Sequence, residues 1–164
     1  AARPDLVRAL ALCDTAHKIG TADLWNTRIA AIEENGIASI TDSILERWFT
    51  PAFRRPENNA LHGYRNMLIR QPATGYAGTC AAIRDADFTE AAKRIAVPAI
   101  CIVGDQDGST PPDVVLSTAK LIPGARYEVI KDAGHIPCVE QPEMLTTVLR
   151  AFIDTVLSGE ETHE

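Results

Sequence analysis

Val97-Pro98-Ala99-Ile100-Cys101-Ile102-Val103 runs into Gly104-Asp105-Gln106-Asp107-Gly108-Ser109-Thr110-Pro111, and the reading of this stretch decides the fold. The apolar run is too short for a core helix, is rich in β-branched residues and ends on a glycine, so it reads as a strand. Pro98 stands at its entrance, where a missing N–H costs the ladder least. With no polar alternation, the strand is expected to be buried on both faces, as in a parallel sheet covered by helices. The next residues fit that picture. Thr110-Pro111-Pro112-Asp113 reads as a helix start, with Thr110 as N-cap, Pro111 at the first helical position and Asp113 near the positive end of the dipole.

Downstream of that helix, which is expected to run to residue 121, Pro123-Gly124 turns the chain into a short strand, Arg126-Tyr127-Glu128-Val129-Ile130. Gln141-Pro142 then opens a last helix, whose apolar positions Met144, Leu145, Val148, Leu149, Phe152 and Val156 recur at helical spacing. Gly159 is expected to end it, leaving residues 159–164 as a polar tail. Upstream, residues 6–13 read as another buried strand. Between the strands, residues 21–94 carry only amphipathic helical segments, at 22–34, 42–49, 57–70 and 74–84, punctuated by Asn35-Gly36, Pro51 and Pro72. Asp87-Phe88-Thr89-Glu90 has the spacing of a capping box and predicts one more short helix.

The order is strand, helical insertion, strand, helix, strand, helix. It places the chain in the α/β class, as part of a parallel sheet with an all-helical cap spliced into it. Residues 1–20 are read as a core strand, 21–94 as the cap and 95–158 as the rest of the core. A parallel strand so close to Ala1 lacks the element that should lead into it, so the core is expected to continue upstream of residue 1.

Composition agrees with a folded domain: of 164 residues, 46% are apolar and 23% charged. The 16 Lys and Arg against 22 Asp and Glu give a formal charge of −6, with no basic cluster, which argues against a nucleic-acid partner. No run approaches the roughly 18 apolar residues of a membrane span, and the N-terminus lacks signal-peptide order. A soluble, cytoplasmic protein is expected. The 4 cysteines, Cys13, Cys80, Cys101 and Cys138, form no C-x-x-C and are expected to be reduced, buried thiols.

Two loops carry chemistry. One holds Asp105 and Asp107; the other, directly after the next strand, is Asp132-Ala133-Gly134-His135-Ile136-Pro137. In an open α/β sheet, sites are assembled at the carboxyl ends of strands, and adjacent strand ends bring an acid and a histidine together. A carboxylate there would fix the imidazole tautomer and stabilise the imidazolium formed when His135 takes a proton from a nucleophile. Either Asp105 or Asp107 can supply it on this reasoning. His17 lies just beyond a strand end and could enter a pocket, whereas His62 falls inside a cap helix and His163 in the tail.

The segment from Val97 to Pro111, followed by Asp132-Ala133-Gly134-His135-Ile136-Pro137-Cys138-Val139-Glu140-Gln141-Pro142-Glu143, resembles the C-terminal part of an α/β-hydrolase. The resemblance implies a triad in the order nucleophile, acid, histidine. It assigns the acid to Asp107, because Gly104, Asp107, Thr110 and Pro111 fit the family pattern Gly-x-x-Asp before Thr-Pro, and the general base to His135. The nucleophile should lie in a G-x-S-x-G turn, yet Ser39, Ser43, Ser109, Ser117 and Ser158 all lack glycine at both flanking positions. Gly78-Thr79-Cys80-Ala81-Ala82 has a related shape, but it follows a breaker and a helix start rather than a strand. The expectation is therefore that the serine lies upstream of Ala1, that this chain is two-thirds of a domain of about 250 residues, and that alone it is inactive.

Within that family the chain is most similar to the 3-oxoadipate enol-lactonases. The similarity rests on Arg47-Trp48-Phe49-Thr50-Pro51, Gly75-Tyr76-Ala77-Gly78-Thr79-Cys80 and Ala81-Ala82-Ile83-Arg84-Asp85-Ala86-Asp87-Phe88. It implies hydrolysis of a small lactone ester through an acyl-enzyme, in aromatic catabolism, with no cofactor and no metal. Such a substrate carries a carboxylate, so a cation is expected in the pocket; Arg65 and Arg84 are the candidates, with Trp48 as a wall. A sibling esterase, perhydrolase or C–C hydrolase would keep Asp107 and His135 and differ in the cap. A non-catalytic binding module is the third possibility.

Overall fold

A computed structural model describes residues 3–160. Its centre is a three-stranded parallel sheet of β1 (Leu10–Cys13), β2 (Ala99–Gly104) and β3 (Arg126–Ile130), in the order β1-β2-β3. Every residue of β2 is buried because helices cover both of its faces. Cys101 and Val103 pack with Val115 and Ala119 of α6 (Pro112–Leu121), while Ile100 and Ile102 meet Leu145 and Phe152 of α8 (Pro142–Glu160). This two-sided cover is the physical reason for the unbroken apolar run.

The cap lies between β1 and β2. It consists of α1 (Ala22–Asn35), α2 (Thr41–Trp48), α3 (Asn59–Ile69), α4 (Ala73–Asp85) and the short α5 (Thr89–Ala92), and a further short helix, α7 (Pro137–Glu140), precedes α8. The cap has its own core of Trp25, Ile32, Ile37, Ile44, Leu68 and Cys80. No helix among the described residues is long and apolar enough to cross a membrane.

Several local expectations are corrected. Residues 6–13 do not form one buried strand: Pro4–Leu6 is a 3₁₀ turn, Leu6 is 69% exposed, and pairing begins only where the Leu10 N–H reaches the Pro98 carbonyl at 2.9 Å. Thr110 is not the N-cap of α6. Pro111 takes that position and Pro112 begins the helix, because the Thr110 hydroxyl is engaged with Asp107. Asp87 makes no capping box either. Its carboxylate accepts from the N–H and hydroxyl of Thr89, while Glu90 pairs with Lys93 at 2.6 Å. Gly159 does not end α8, which continues to Glu160, and residues 161–164, with His163, lie outside the described residues. All four cysteines are free thiols, but only Cys80 and Cys101 are buried; Cys13 and Cys138 are exposed.

The loops after β2 and β3 and the exit of α2 meet backbone to backbone. Gly108 N–H donates to the Arg47 carbonyl (3.0 Å), His135 N–H to the Trp48 carbonyl (2.8 Å) and Gln106 N–H to the Ala133 carbonyl (2.9 Å). A methyl group at Gly104 would run into the carbonyl oxygens of Ala133 and Gly134, and one at Gly134 into that of Trp48. Backbone cannot give way as a side-chain tip can. Gly104→Ala is therefore expected to cost about 1–3 kcal/mol of stability in chemical denaturation. A change below about 0.5 kcal/mol would show that these loops have room to part.

Candidate active site

Asp107 is held by its own loop. Its side chain is fully buried, and Oδ1 accepts the N–H groups of Ser109 (2.7 Å) and Thr110 (3.0 Å), while Oδ2 accepts the Thr110 hydroxyl (2.7 Å). Oδ2 also faces His135 Nδ1 at 2.9 Å. A carboxylate only accepts, so Nδ1 carries the proton and donates it, which leaves Nε2 as the acceptor. The His135 side chain is 26% exposed, so the pair has a buried acid and an accessible base. Asp105, the rival acid, turns elsewhere: its carboxylate accepts the Ala133 N–H at 3.2 Å and ties the two loops together.

His135 opens onto a cavity of about 280 Å³ beneath the cap, lined also by Trp25, Arg28, Arg47, Trp48 and Tyr76. Trp48 stands where the sequence placed it. Arg65 and Arg84 do not line this cavity: Arg65 pairs with Asp42 at 3.2 Å, and Arg84 holds Asp85 and the Asn26 amide oxygen. In their place stand Arg28 and Arg47. Burial, and then the proximity of Arg28, lower the pKa of Arg47, and burial raises that of Tyr76. Arg28 lies over the Trp25 ring, 5.0 Å from its centroid. Two guanidinium groups and a phenol thus share the cavity with the imidazole, an arrangement suited to an anionic group.

His17 and His62 lie elsewhere, whereas Cys80 borders the same cavity as His135. His17 Nδ1 contacts the Thr118 hydroxyl at 2.9 Å and lines a separate hollow of about 820 Å³ beside β1 and α5. His62 contacts the Pro56 carbonyl. Cys80 lies inside α4, and burial pushes its thiol pKa up, the opposite of what a nucleophilic thiolate needs.

Sequence reasoning missed Asp14. It directly follows β1, is 8% exposed, and accepts the Gly104 N–H at 3.0 Å. Ligand atoms of Asp14, Asp107 and His135 lie within 4.8 Å of one another. These three side chains have the chemistry to ligate a cation, but both Asp107 oxygens already accept N–H or O–H donors that a cation would displace. Burial is the largest cause of a raised Asp14 pKa, at about 7. The rule that pointed to His17, position at a strand end, applied equally to Asp14. Arg47 lay within the Arg47-Trp48-Phe49-Thr50-Pro51 stretch.

A family profile described as the alpha/beta hydrolase fold matches residues 1–142. The chain is 32% identical over 148 residues to 3-oxoadipate enol-lactonase 1 of Acinetobacter baylyi, covering 90% of this chain and 55% of that protein. It is similar to the crystal structure of the enol-lactonase from Burkholderia xenovorans LB400, with a TM-score of 0.86 at 33% identity, over 92% of this chain and 57% of that one. A thermophilic esterase from Thermogutta terrifontis gives a TM-score of 0.83 at 26% identity, over 93% and 58% of the two chains. The chain spans about half the length of the curated relatives it matches.

Asp14 sets a pH dependence of stability. Its carboxyl group ionises near pH 4 in an unfolded chain and at about 7 in the fold. Between these values the folded state binds the extra proton, so the contribution is fully present below about pH 4 and is lost as pH rises through 7. The loss approaches ~4 kcal/mol. Asp14→Asn removes it, so the variant's gain in thermal midpoint over the parent is expected to grow from pH 5 to pH 8. A constant offset across that range would contradict an Asp14 that titrates in the fold.

Proposed function

The chain belongs to the α/β-hydrolase family, and from that membership we propose that it is part of an enzyme that hydrolyses 3-oxoadipate enol-lactone to 3-oxoadipate. The observation that carries this reading is the 2.9 Å contact between His135 Nδ1 and Asp107 Oδ2 at the ends of neighbouring parallel strands. The attacking serine is supplied by a segment outside this chain. That part of the reading is supported by the absence of an elbow sequence around any serine here and by the share of its relatives that the chain spans.

In the proposed reaction, His135 Nε2 takes the serine proton as the hydroxyl oxygen attacks the lactone carbonyl. Asp107 holds the imidazole in the required tautomer and balances the imidazolium. The ring C–O bond breaks, the departing enol oxygen receives the proton from His135, and the open-chain acyl group stays on the serine. Water then attacks the acyl carbon while His135 takes its proton and returns it to the serine. The enol product tautomerises to the ketone.

The choice of lactone is supported by the enol-lactonase relatives and by the cavity wall. Arg28 and Arg47 make no ion pair among the described residues, so both are available to a substrate carboxylate. The similarity to the thermophilic esterase favours a second reading, a simple esterase of the same family. The complete polypeptide, assayed with the enol-lactone and with a neutral aryl ester, separates the two: clear preference for the aryl ester would favour the esterase. No hydrolysis of either by the complete polypeptide would favour a binding module. The isolated chain is expected to hydrolyse neither.

In the complete enzyme, Asp107→Asn and His135→Ala are each expected to lower kcat about 10³-fold or more with circular dichroism unchanged. Near-normal turnover by either variant would sink the assignment. Arg28→Gln and Arg47→Gln are expected to raise KM for the carboxylate-bearing lactone about tenfold while changing that for a neutral ester less than about twofold. An equal rise for both substrates would remove the anion-binding role.

A further inference from the structure

Asp14 is buried, ionisable and used by no step above. It sits at φ +49°, a left-handed conformation that Asp and Asn tolerate better than other side chains. Its N–H donates to the Ile102 carbonyl (2.8 Å) and its Oδ1 accepts the Gly104 N–H (3.0 Å), so the carboxyl group is fixed at the end of the sheet. Polar atoms of the Asp14, Asp107 and His135 side chains lie within 4.8 Å of one another, and the proximity of Asp107 adds to the burial that raises the Asp14 pKa. The titratable groups facing Asp14 are Asp107 from the loop after β2, His135 from the loop after β3 and Cys13 from its own strand; no lysine or arginine among the described residues is a leading influence on it.

Two carboxyl groups this close and shielded from water resist carrying two negative charges at once, because repulsion and desolvation act in the same direction. The donors decide which one holds the proton. Asp107 accepts from two N–H groups, one hydroxyl and the His135 ring, whereas Asp14 has the single N–H of Gly104. The negative charge therefore rests on Asp107. We infer that Asp14 is a positioning residue which, as a neutral acid, donates a hydrogen bond to Asp107 and keeps one negative charge, not two, beneath His135.

The consequence for the base is electrostatic. If Asp14 loses its proton, the second negative charge stabilises the imidazolium and makes His135 release its proton less readily. A neutral Asp14 keeps the imidazole available as a base. This consequence rests on the hydrolase reading above; the location of the proton does not.

The test uses Asp14→Asn in the complete polypeptide. Asparagine tolerates the same backbone conformation, can accept the Gly104 N–H and donates to Asp107, but cannot titrate. Carbon-13 NMR of labelled aspartates is expected to show one carboxyl group titrating near pH 7 in the parent and none there in the variant. An Asp14 signal already characteristic of a carboxylate at pH 5 would overturn the inference, whatever the protein catalyses. For the ester that is turned over best, the ratio of variant to parent kcat/KM is expected to change between pH 6 and pH 8, where the parent's Asp14 gains a charge that the variant cannot. A ratio constant across that range would overturn the role toward His135. Failure of the hydrolase reading would appear separately, as retained turnover in Asp107→Asn and His135→Ala.

Discussion

The architecture depends on one steric constraint, the absence of side chains where three backbones cross. Gly104 at the end of β2, Gly134 in the histidine loop and the Trp48 carbonyl at the exit of α2 approach so closely that no Cβ fits at either glycine. Backbone hydrogen bonds fill the space that side chains would occupy: Gln106 to Ala133, Gly108 to Arg47 and His135 to Trp48. The Asp107 loop, the His135 loop and the exit of α2 are thereby fixed relative to one another by backbone alone. The Asp107–His135 distance follows from that crossing.

The polar groups at the crossing are satisfied locally. Among the described residues, no buried side-chain nitrogen or oxygen lacks a partner. Glu140 illustrates how this is achieved: one carboxylate oxygen accepts from the N–H and hydroxyl of Thr50, and the other from the N–H of Gly134. Charge-assisted bonds of this kind are stronger than neutral ones, and here one side chain links the segment after α2 to the His135 loop. Asp105 does the equivalent from the other side through Ala133. Asp107 and Asp105, two positions apart in one loop, therefore have different surroundings, and the surroundings rather than the residue type separate their roles.

What was legible in the sequence is what local pattern or strand-end position controls. β2 was readable because burial on both faces leaves only apolar choices, and Asp107 and His135 because consecutive parallel strands put their carboxyl ends side by side. Arg28 and Arg47 were not, since they reach the cavity from α1 and α2, and nothing in helical periodicity says which face of a cap helix looks down on a loop many residues away. Arg65 and Arg84 also sit on cap helices but line no part of that cavity, Arg65 pairing with Asp42 and Arg84 with the adjacent Asp85. Thr110 is the instructive error. Its local signature is that of an N-cap, but the buried carboxylate that directly faces the His135 imidazole claimed its hydroxyl, and Pro111 took the capping position.

The Glu140 link also defines where this molecule can be divided. A recombination experiment that exchanges caps between related hydrolases would naturally cut at the ends of the helical insertion, treating everything between β1 and β2 as portable. Thr50 lies inside that insertion, yet its N–H and hydroxyl belong to the same carboxylate as the histidine loop. The portable unit is therefore smaller than the topological one: Arg47 to Thr50 must travel with the core, or Glu140 must travel with the cap.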